Sequence, residues 1–160
     1  MRKYLTALTL VCTVVAGAAY ADQPITIRGL NLDSTVEDFE EAFGYCGTIP
    51  AENSDFYVCG GDIENETFGA LLQIDRDGDT LVLMLSCSFI NGCEYSVEDL
   101  AIKLSEGLNL PAPKLVQWEG EDVWAIDGPS GDRLMVTDSP EAGLFIVLFK
   151  NNYQRGLILE

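Results

Sequence analysis

The chain has 160 residues, of which 26 are acidic and nine are basic, and its formal net charge is −17. A negative field of this size repels nucleic acids and anionic lipid surfaces, favours cationic proteins or metal cations as partners, and also promotes solubility. The chain contains no histidine, which excludes Ser-His-Asp and Cys-His catalysis, histidine metal sites and histidine proton relays.

The first 21 residues have the pattern of a secretory signal peptide. Arg2 and Lys3 form a short basic region, residues 5–18 are an apolar stretch, and Ala19-Tyr20-Ala21 is a small-x-small cleavage site. Cleavage before Asp22 removes 21 of the 160 residues and leaves 139, with seven basic and 26 acidic residues and a charge of −19. No later apolar run approaches membrane length, so we expect a periplasmic or secreted protein without a membrane anchor.

Four cysteines remain after this cleavage: Cys46, Cys59, Cys87 and Cys93. An even number in an exported domain predicts two disulfides, and closeness in sequence favours Cys46–Cys59 and Cys87–Cys93 among the three possible pairings. A zinc site prefers roughly two to four residues between paired cysteines, a spacing that neither pair has. The sequence also lacks a redox C-x-x-C motif, so we expect the cysteines to have a structural role.

The first predicted helix follows Thr35, a hydroxyl N-cap with an acidic residue, Asp38, three positions later. Its apolar spacing predicts a buried face, formed by Val36, Phe39 and Phe43. Strands are predicted at residues 56–59, 68–75 and 80–87. The stretch Asp75-Arg76-Asp77-Gly78-Asp79 predicts a hairpin turn between the last two strands. An EF-hand calcium loop is the alternative, but such a loop needs glycine at position six and glutamate at position twelve. Counted from Asp75, this segment has its glycine, Gly78, at position four and Ser86 at position twelve.

The second predicted helix follows Ser96, which has Asp99 three positions later. The residues predicted to face the core are Val97, Leu100, Ala101, Leu104 and Leu108. Strands are then predicted at residues 115–118, 122–127, 133–137 and 144–153, with a short last strand at 157–159.

The starts of the two helices resemble each other, since TVEDF at residues 35–39 returns as SVEDL at residues 96–100. The predicted fold class is therefore α+β, with two tandem units of one helix plus three to four antiparallel strands, residues 22–93 and 94–160. Units of this size are too small for comfortable independent stability. We expect them to form one compact body, sharing or packing into one sheet with the helices on one face.

The segment IRGLNLDSTVED, residues 27–38, resembles the opening pattern G-x-x-L-G-M-S-x-x-E of small exported proteins. These include BamE/SmpA-type envelope modules and the β-lactamase-inhibitor-protein (BLIP) fold, and the tandem arrangement is more similar to the BLIP-like group. The resemblance implies repeats that pair helices with an antiparallel sheet, and a disulfide at the place of Cys46–Cys59. This chain departs from the pattern where Leu32-Asp33 replaces Gly-Met, and its second unit has no matching cysteine pair.

Aromatic side chains supply the candidate partner-binding residues: Tyr57, Trp118 and Trp124. The two tryptophans flank a predicted turn and would face one another across a hairpin, and ordinary core packing is the alternative. In a strand with only one covered face, apolar and polar residues should alternate. Residues 81–85 and 144–149 are instead continuous apolar runs. Either loops cover the second face of the sheet, or that face is a docking surface.

We therefore predict an exported, non-catalytic module that binds a protein partner of cationic character through its sheet face. Its most specific version is an inhibitor of a cationic envelope hydrolase. We predict no catalytic residue, cofactor or metal. The alternatives are an envelope-assembly or structural module and a carboxylate-dependent hydrolase, for which the candidate acids are Glu37, Asp38, Glu40, Glu41, Glu119, Glu121 and Asp122.

Overall fold

The computed structural model describes residues 23–61, 69–118, 120–140 and 143–150. The predicted signal peptide and the predicted strand at residues 157–159 lie outside these ranges. The described elements are, in chain order, α1 (Val36–Phe43), β1 (Cys46–Pro50), β2 (Ser54–Cys59), β3 (Ala70–Asp75), β4 (Thr80–Ser86), α2 (Val97–Gly107), β5 (Lys114–Trp118), β6 (Glu121–Asp127), β7 (Asp132–Ser139) and β8 (Gly143–Lys150).

All eight strands belong to one antiparallel sheet, in the order β1-β2-β3-β4-β8-β7-β6-β5. The sheet is continuous because β4 pairs with β8, with Val82 opposite Phe149 and Met84 opposite Val147. Of the described residues, 46% lie in strands and 16% in helices. The predicted fold class, α+β built from two helix-plus-strand units, is therefore wrong, and the fold is dominated by a single sheet.

The error has two physical sources. The helices are short: α1 has eight residues and stops at Gly44, whose φ of 93° is left-handed, and α2 has eleven. Within the described ranges the sheet also has one strand more than predicted, which is β1. That strand contains Gly47 and Pro50, which have low strand propensity, and it lies at the sheet edge, where proline is tolerated.

The first face of the sheet is covered by both helices and by a leading segment, residues 25–32. Phe39 of α1 and Ala101 of α2 are fully buried there against strand residues such as Leu83 and Leu148. The leading segment reverses at Arg28 and Gly29, and its four apolar side chains, Ile25, Ile27, Leu30 and Leu32, are 3–4% exposed. Burying one such side chain contributes about 1.5–3 kcal/mol, so this segment is part of the core.

The second face carries a separate apolar cluster, which includes Val82, Met84 and Val147. These side chains are 1–2% exposed although both described helices pack on the first face. The rings of Trp118 on β5 and Phe149 on β8 lie 5.3 Å apart. Because β6 and β7 lie between these two strands, β5 and β8 would be three strand spacings apart in a flat sheet, or about 14 Å. The sheet therefore curls toward its second face, and the apolar runs of β4 and β8 are buried on both sides.

Both predicted disulfides are present. Cys46 and Cys59 are directly opposite each other on β1 and β2, and Cys87 and Cys93 close the loop between β4 and α2. The two disulfides fit an exported protein, because such bonds form and persist in oxidising compartments.

Candidate binding groove

An open groove of about 740 Å³ lies between the start of α1, the β3–β4 turn and the end of β8. This volume falls within the range of roughly 300–1,000 Å³ that is typical of ligand sites. The apolar part of its lining is formed by Leu32, Val36, Tyr57, Ile74 and Leu81. Its charged side chains are Asp33, Glu37, Asp75, Asp79 and Lys150.

The start of α1 is fixed by a capping box, as the sequence predicted. Thr35 Oγ1 accepts a hydrogen bond from the Asp38 N–H (3.3 Å), and the Thr35 N–H donates to Asp38 Oδ2 (2.7 Å). Such a box satisfies amide groups that the first helical turn leaves free. Leu32, just before this turn, is buried in the first-face core. These contacts hold Asp33 and Glu37 at one wall of the groove.

The opposite wall is the β3–β4 turn, and the predicted hairpin turn is confirmed. Asp75 Oδ1 accepts hydrogen bonds from the N–H groups of Asp77 and Asp79, both at 2.9 Å, and Gly78 has a φ of 91°. Arg76 extends away toward the β1–β2 turn, where it donates to the Ala51 carbonyl (2.6 Å) and pairs with Asp55 (3.5 Å). The turn thus presents carboxylates to the groove and directs its own cation elsewhere.

The groove carries uncompensated negative charge. Within the described part of the chain, the carboxylates of Asp33, Glu37 and Asp79 have no hydrogen-bond or ion-pair partner. Each basic side chain that the structure describes contacts a group outside this set: Arg28 contacts Phe89, Arg76 contacts Asp55, Lys103 contacts Tyr95, Lys114 and Arg133 contact Asp127, and Lys150 contacts Asp132. A cation entering the groove therefore meets carboxylates that have no competing partner among the described residues.

Among the described residues, Lys150 is the one cation that lines the groove, and a buried carboxylate holds it. Its Nζ lies 3.0 Å from Asp132 Oδ1, and the Asp132 side chain is fully buried whereas that of Lys150 is 42% exposed. The other oxygen, Asp132 Oδ2, accepts hydrogen bonds from the Ile25 N–H (3.1 Å) and from Ser130 Oγ (2.9 Å). Asp132 thereby neutralises Lys150 and also ties the leading segment to β7.

The structure does not bring the three predicted aromatic residues together. Tyr57 lies on the first face and lines the groove. Trp124 also lies on the first face but on β6, where it packs against the core. Trp118 is on the second face. Trp118 is directly opposite Glu121 across the hairpin, so these two side chains are on the same face. Trp124 is three positions after Glu121 and therefore points to the other face, because side chains alternate along a strand. The two tryptophans thus do not face one another.

Of the four acidic residues that line the groove, only Glu37 is among the candidate carboxylates that the sequence indicates. The signal was present as acidic residues beside Leu32 and within the β3–β4 turn. These two segments are about forty residues apart, and only the folding of α1 against the sheet places them around one opening. The candidate acids on α1 and β6 that the structure describes are all solvent-exposed.

The described residues contain no group of three or more Cys, Asp or Glu side chains arranged to hold a metal ion. None of the helices in the described ranges is long and apolar enough to span a bilayer. Comparisons with protein families, with curated proteins and with solved structures give no match to this chain.

Proposed function

We propose that this protein is an exported, non-catalytic binding module that holds a cationic segment of a partner protein in its acidic groove. The observation that carries the proposal is the groove itself, in which Asp33, Glu37 and Asp79 are unpaired within the described chain and Lys150 is engaged by Asp132. A lysine or arginine side chain of the partner fits this lining. Its aliphatic stem contacts Leu81 and Tyr57, and its charged end meets the carboxylates.

The free energies of the individual contacts indicate how the groove would bind a cationic segment. Each ion pair at a solvent-exposed carboxylate contributes only about 0.2–1 kcal/mol, so three carboxylates together supply roughly a tenfold gain in affinity. The remaining affinity must come from apolar contact with the groove lining. The net charge of −19 after cleavage, from seven basic and 26 acidic residues, has a separate effect, because it accelerates encounter with a cationic partner at low ionic strength.

The periplasm or the extracellular space is the proposed location, after cleavage following Ala21. The disulfides fit this proposal. The partner's cationic character also fits a basic envelope hydrolase such as lysozyme, and inhibition of such an enzyme is the most specific version of the proposal. The resemblance of residues 27–38 to BLIP-like proteins supports a protein partner rather than a small molecule.

The test uses two variants that have the same net charge. The groove variant carries Asp33→Asn, Glu37→Gln and Asp79→Asn, and the control carries Glu94→Gln, Glu98→Gln and Glu106→Gln on exposed positions at or near α2. Glu37 and Glu98 each occupy the second helical position, so these two changes disturb the helix dipole equally.

Binding of lysozyme to wild type and to both variants is measured by isothermal titration calorimetry, and cell-wall lysis by lysozyme is measured in parallel. We expect the groove variant to bind about tenfold more weakly and the control to stay within about threefold of wild type. Equal losses in both variants would show that net charge rather than the groove determines binding. Binding without slower lysis would remove the inhibitor version and keep the binding module.

A further inference from the structure

The two disulfides differ in their access to solvent. Cys59 is fully buried and Cys46 is 6% exposed, since both lie beneath α1 in the first-face core. Cys93 is exposed and Cys87 is partly buried. Thiol–disulfide exchange requires a thiolate to reach a sulfur atom, so exposed disulfides are the labile ones in a protein.

The loop closed by Cys87 and Cys93 contacts each part of the layer that covers the first face. The ring of Phe89 lies 4.5 Å from that of Phe43 at the end of α1. The Arg28 guanidinium lies 4.9 Å from the centre of the Phe89 ring and donates a hydrogen bond to the Phe89 carbonyl oxygen. Gly92 packs on α2, because a Cβ there would lie 2.9 Å from Leu100 Cδ1.

Phe43 packs against this loop through Phe89. Its ring also lies against Gly60 and Gly69, where an added Cβ would approach within 2.7 Å and 2.6 Å. The ring is thus held between two glycines and Phe89, which fixes the end of α1. A change in the loop can therefore reach α1 through the contact between Phe89 and Phe43.

We propose that Cys87–Cys93 is a thiol-exchange site whose reduction loosens the contact between α1, the leading segment and the loop. The co-reactant is a dithiol, either a small molecule or an exported dithiol protein. Its thiolate attacks the Sγ of Cys93, the more exposed of the two residues, the bond between the two cysteine sulfurs breaks, and Cys87 leaves as a thiolate. The second thiol of the co-reactant then attacks the co-reactant's own sulfur in the mixed disulfide, the bond from that sulfur to Cys93 Sγ breaks, and Cys93 leaves as a thiolate. The protein gains two electrons and two protons, the co-reactant becomes a disulfide, and Cys46–Cys59 stays oxidised. This proposal does not depend on what the groove binds.

The order of reduction is tested on the full mature protein with increasing dithiothreitol, followed by alkylation and peptide mass spectrometry. We expect Cys87 and Cys93 to be labelled at dithiothreitol concentrations at least about tenfold lower than those that label Cys46 and Cys59. Labelling of both pairs over the same concentration range, or of Cys46 and Cys59 first, would overturn the proposal.

The structural consequence is tested by amide hydrogen exchange on the selectively reduced protein. We expect at least about tenfold faster exchange at α1 and at the Arg28 turn, with unchanged exchange in β7 and β8. The Phe89→Ala variant keeps the disulfide and removes the contact, so α1 should exchange rapidly before reduction and change little after it. Unchanged exchange at α1 in reduced wild type, or an equal response to reduction in Phe89→Ala, would contradict the coupling.

Discussion

Replacing Asp132 with alanine tests the link between the buried carboxylate, the leading segment and the groove. The side chain is fully buried and has three partners: the Ile25 amide at 3.1 Å, Ser130 Oγ at 2.9 Å and Lys150 Nζ at 3.0 Å. In Asp132→Ala each partner loses its acceptor, and the Ile25 amide is left inside the core.

The expected cost follows from these three contacts. A buried amide without an acceptor costs about 1–3 kcal/mol, and a lost hydrogen bond from the Ser130 hydroxyl about 1 kcal/mol. Lys150 is 42% exposed and its contact with Asp132 Oδ1 is an ion pair that lacks hydrogen-bond geometry, so it contributes at most about 1 kcal/mol. The substitution also removes the cost of desolvating a buried carboxylate, and this gain offsets part of the sum. We therefore expect a loss of about 3 kcal/mol.

The free energy of unfolding of Asp132→Ala is measured by urea denaturation. The slope of this free energy against urea concentration should equal that of wild type. The Asp132→Asn variant, which keeps an oxygen for the Ile25 amide, should lose about half as much. Asp138→Ala, an exposed position on the same strand β7, should stay within about 0.5 kcal/mol of wild type. A loss below about 1 kcal/mol in Asp132→Ala, or an equal loss in Asp138→Ala, would refute this account of the buried carboxylate.

Two further changes test the curl of the sheet and the buried disulfide. Trp118→Ala should lower the free energy of unfolding by about 2 kcal/mol, because Trp118 packs on Phe149 in the second-face cluster. Leu115→Ala on the same strand should change it by less than about 0.5 kcal/mol, since Leu115 is 55% exposed; equal losses in urea denaturation would argue against the curled sheet. Replacing Cys46 and Cys59 together by alanine should cost about 3 kcal/mol from the loop they close, and a thermal unfolding midpoint equal to that of wild type would contradict this.

The sequence predicted local features well because they depend on near neighbours. The N-caps Thr35 and Ser96 and the Asp75–Asp79 turn each involve residues within four positions of each other. Both disulfides were also predicted correctly, because each closes a short loop.

What the sequence did not predict depends on which strands become neighbours. The pairing of β4 with β8 unites the sheet and buries the apolar runs on both sides. Strand β1 had too weak a propensity to be recognised and forms against β2, with Cys46 directly opposite Cys59. The groove acids come from two distant segments, and the opposite orientations of Trp118 and Trp124 follow from a hairpin register that the sequence alone does not fix.

The most direct test of the central claim is to map where a cationic chain binds. A short lysine- and arginine-rich peptide is titrated into isotope-labelled mature protein, and backbone amide chemical shifts are followed by NMR. Binding in the groove predicts saturable shifts confined to residues 32–37 and 74–81 and to Tyr57 and Lys150, all of which line or flank the groove. Shifts spread evenly over the acidic surface, including the exposed acids of α2, would contradict it.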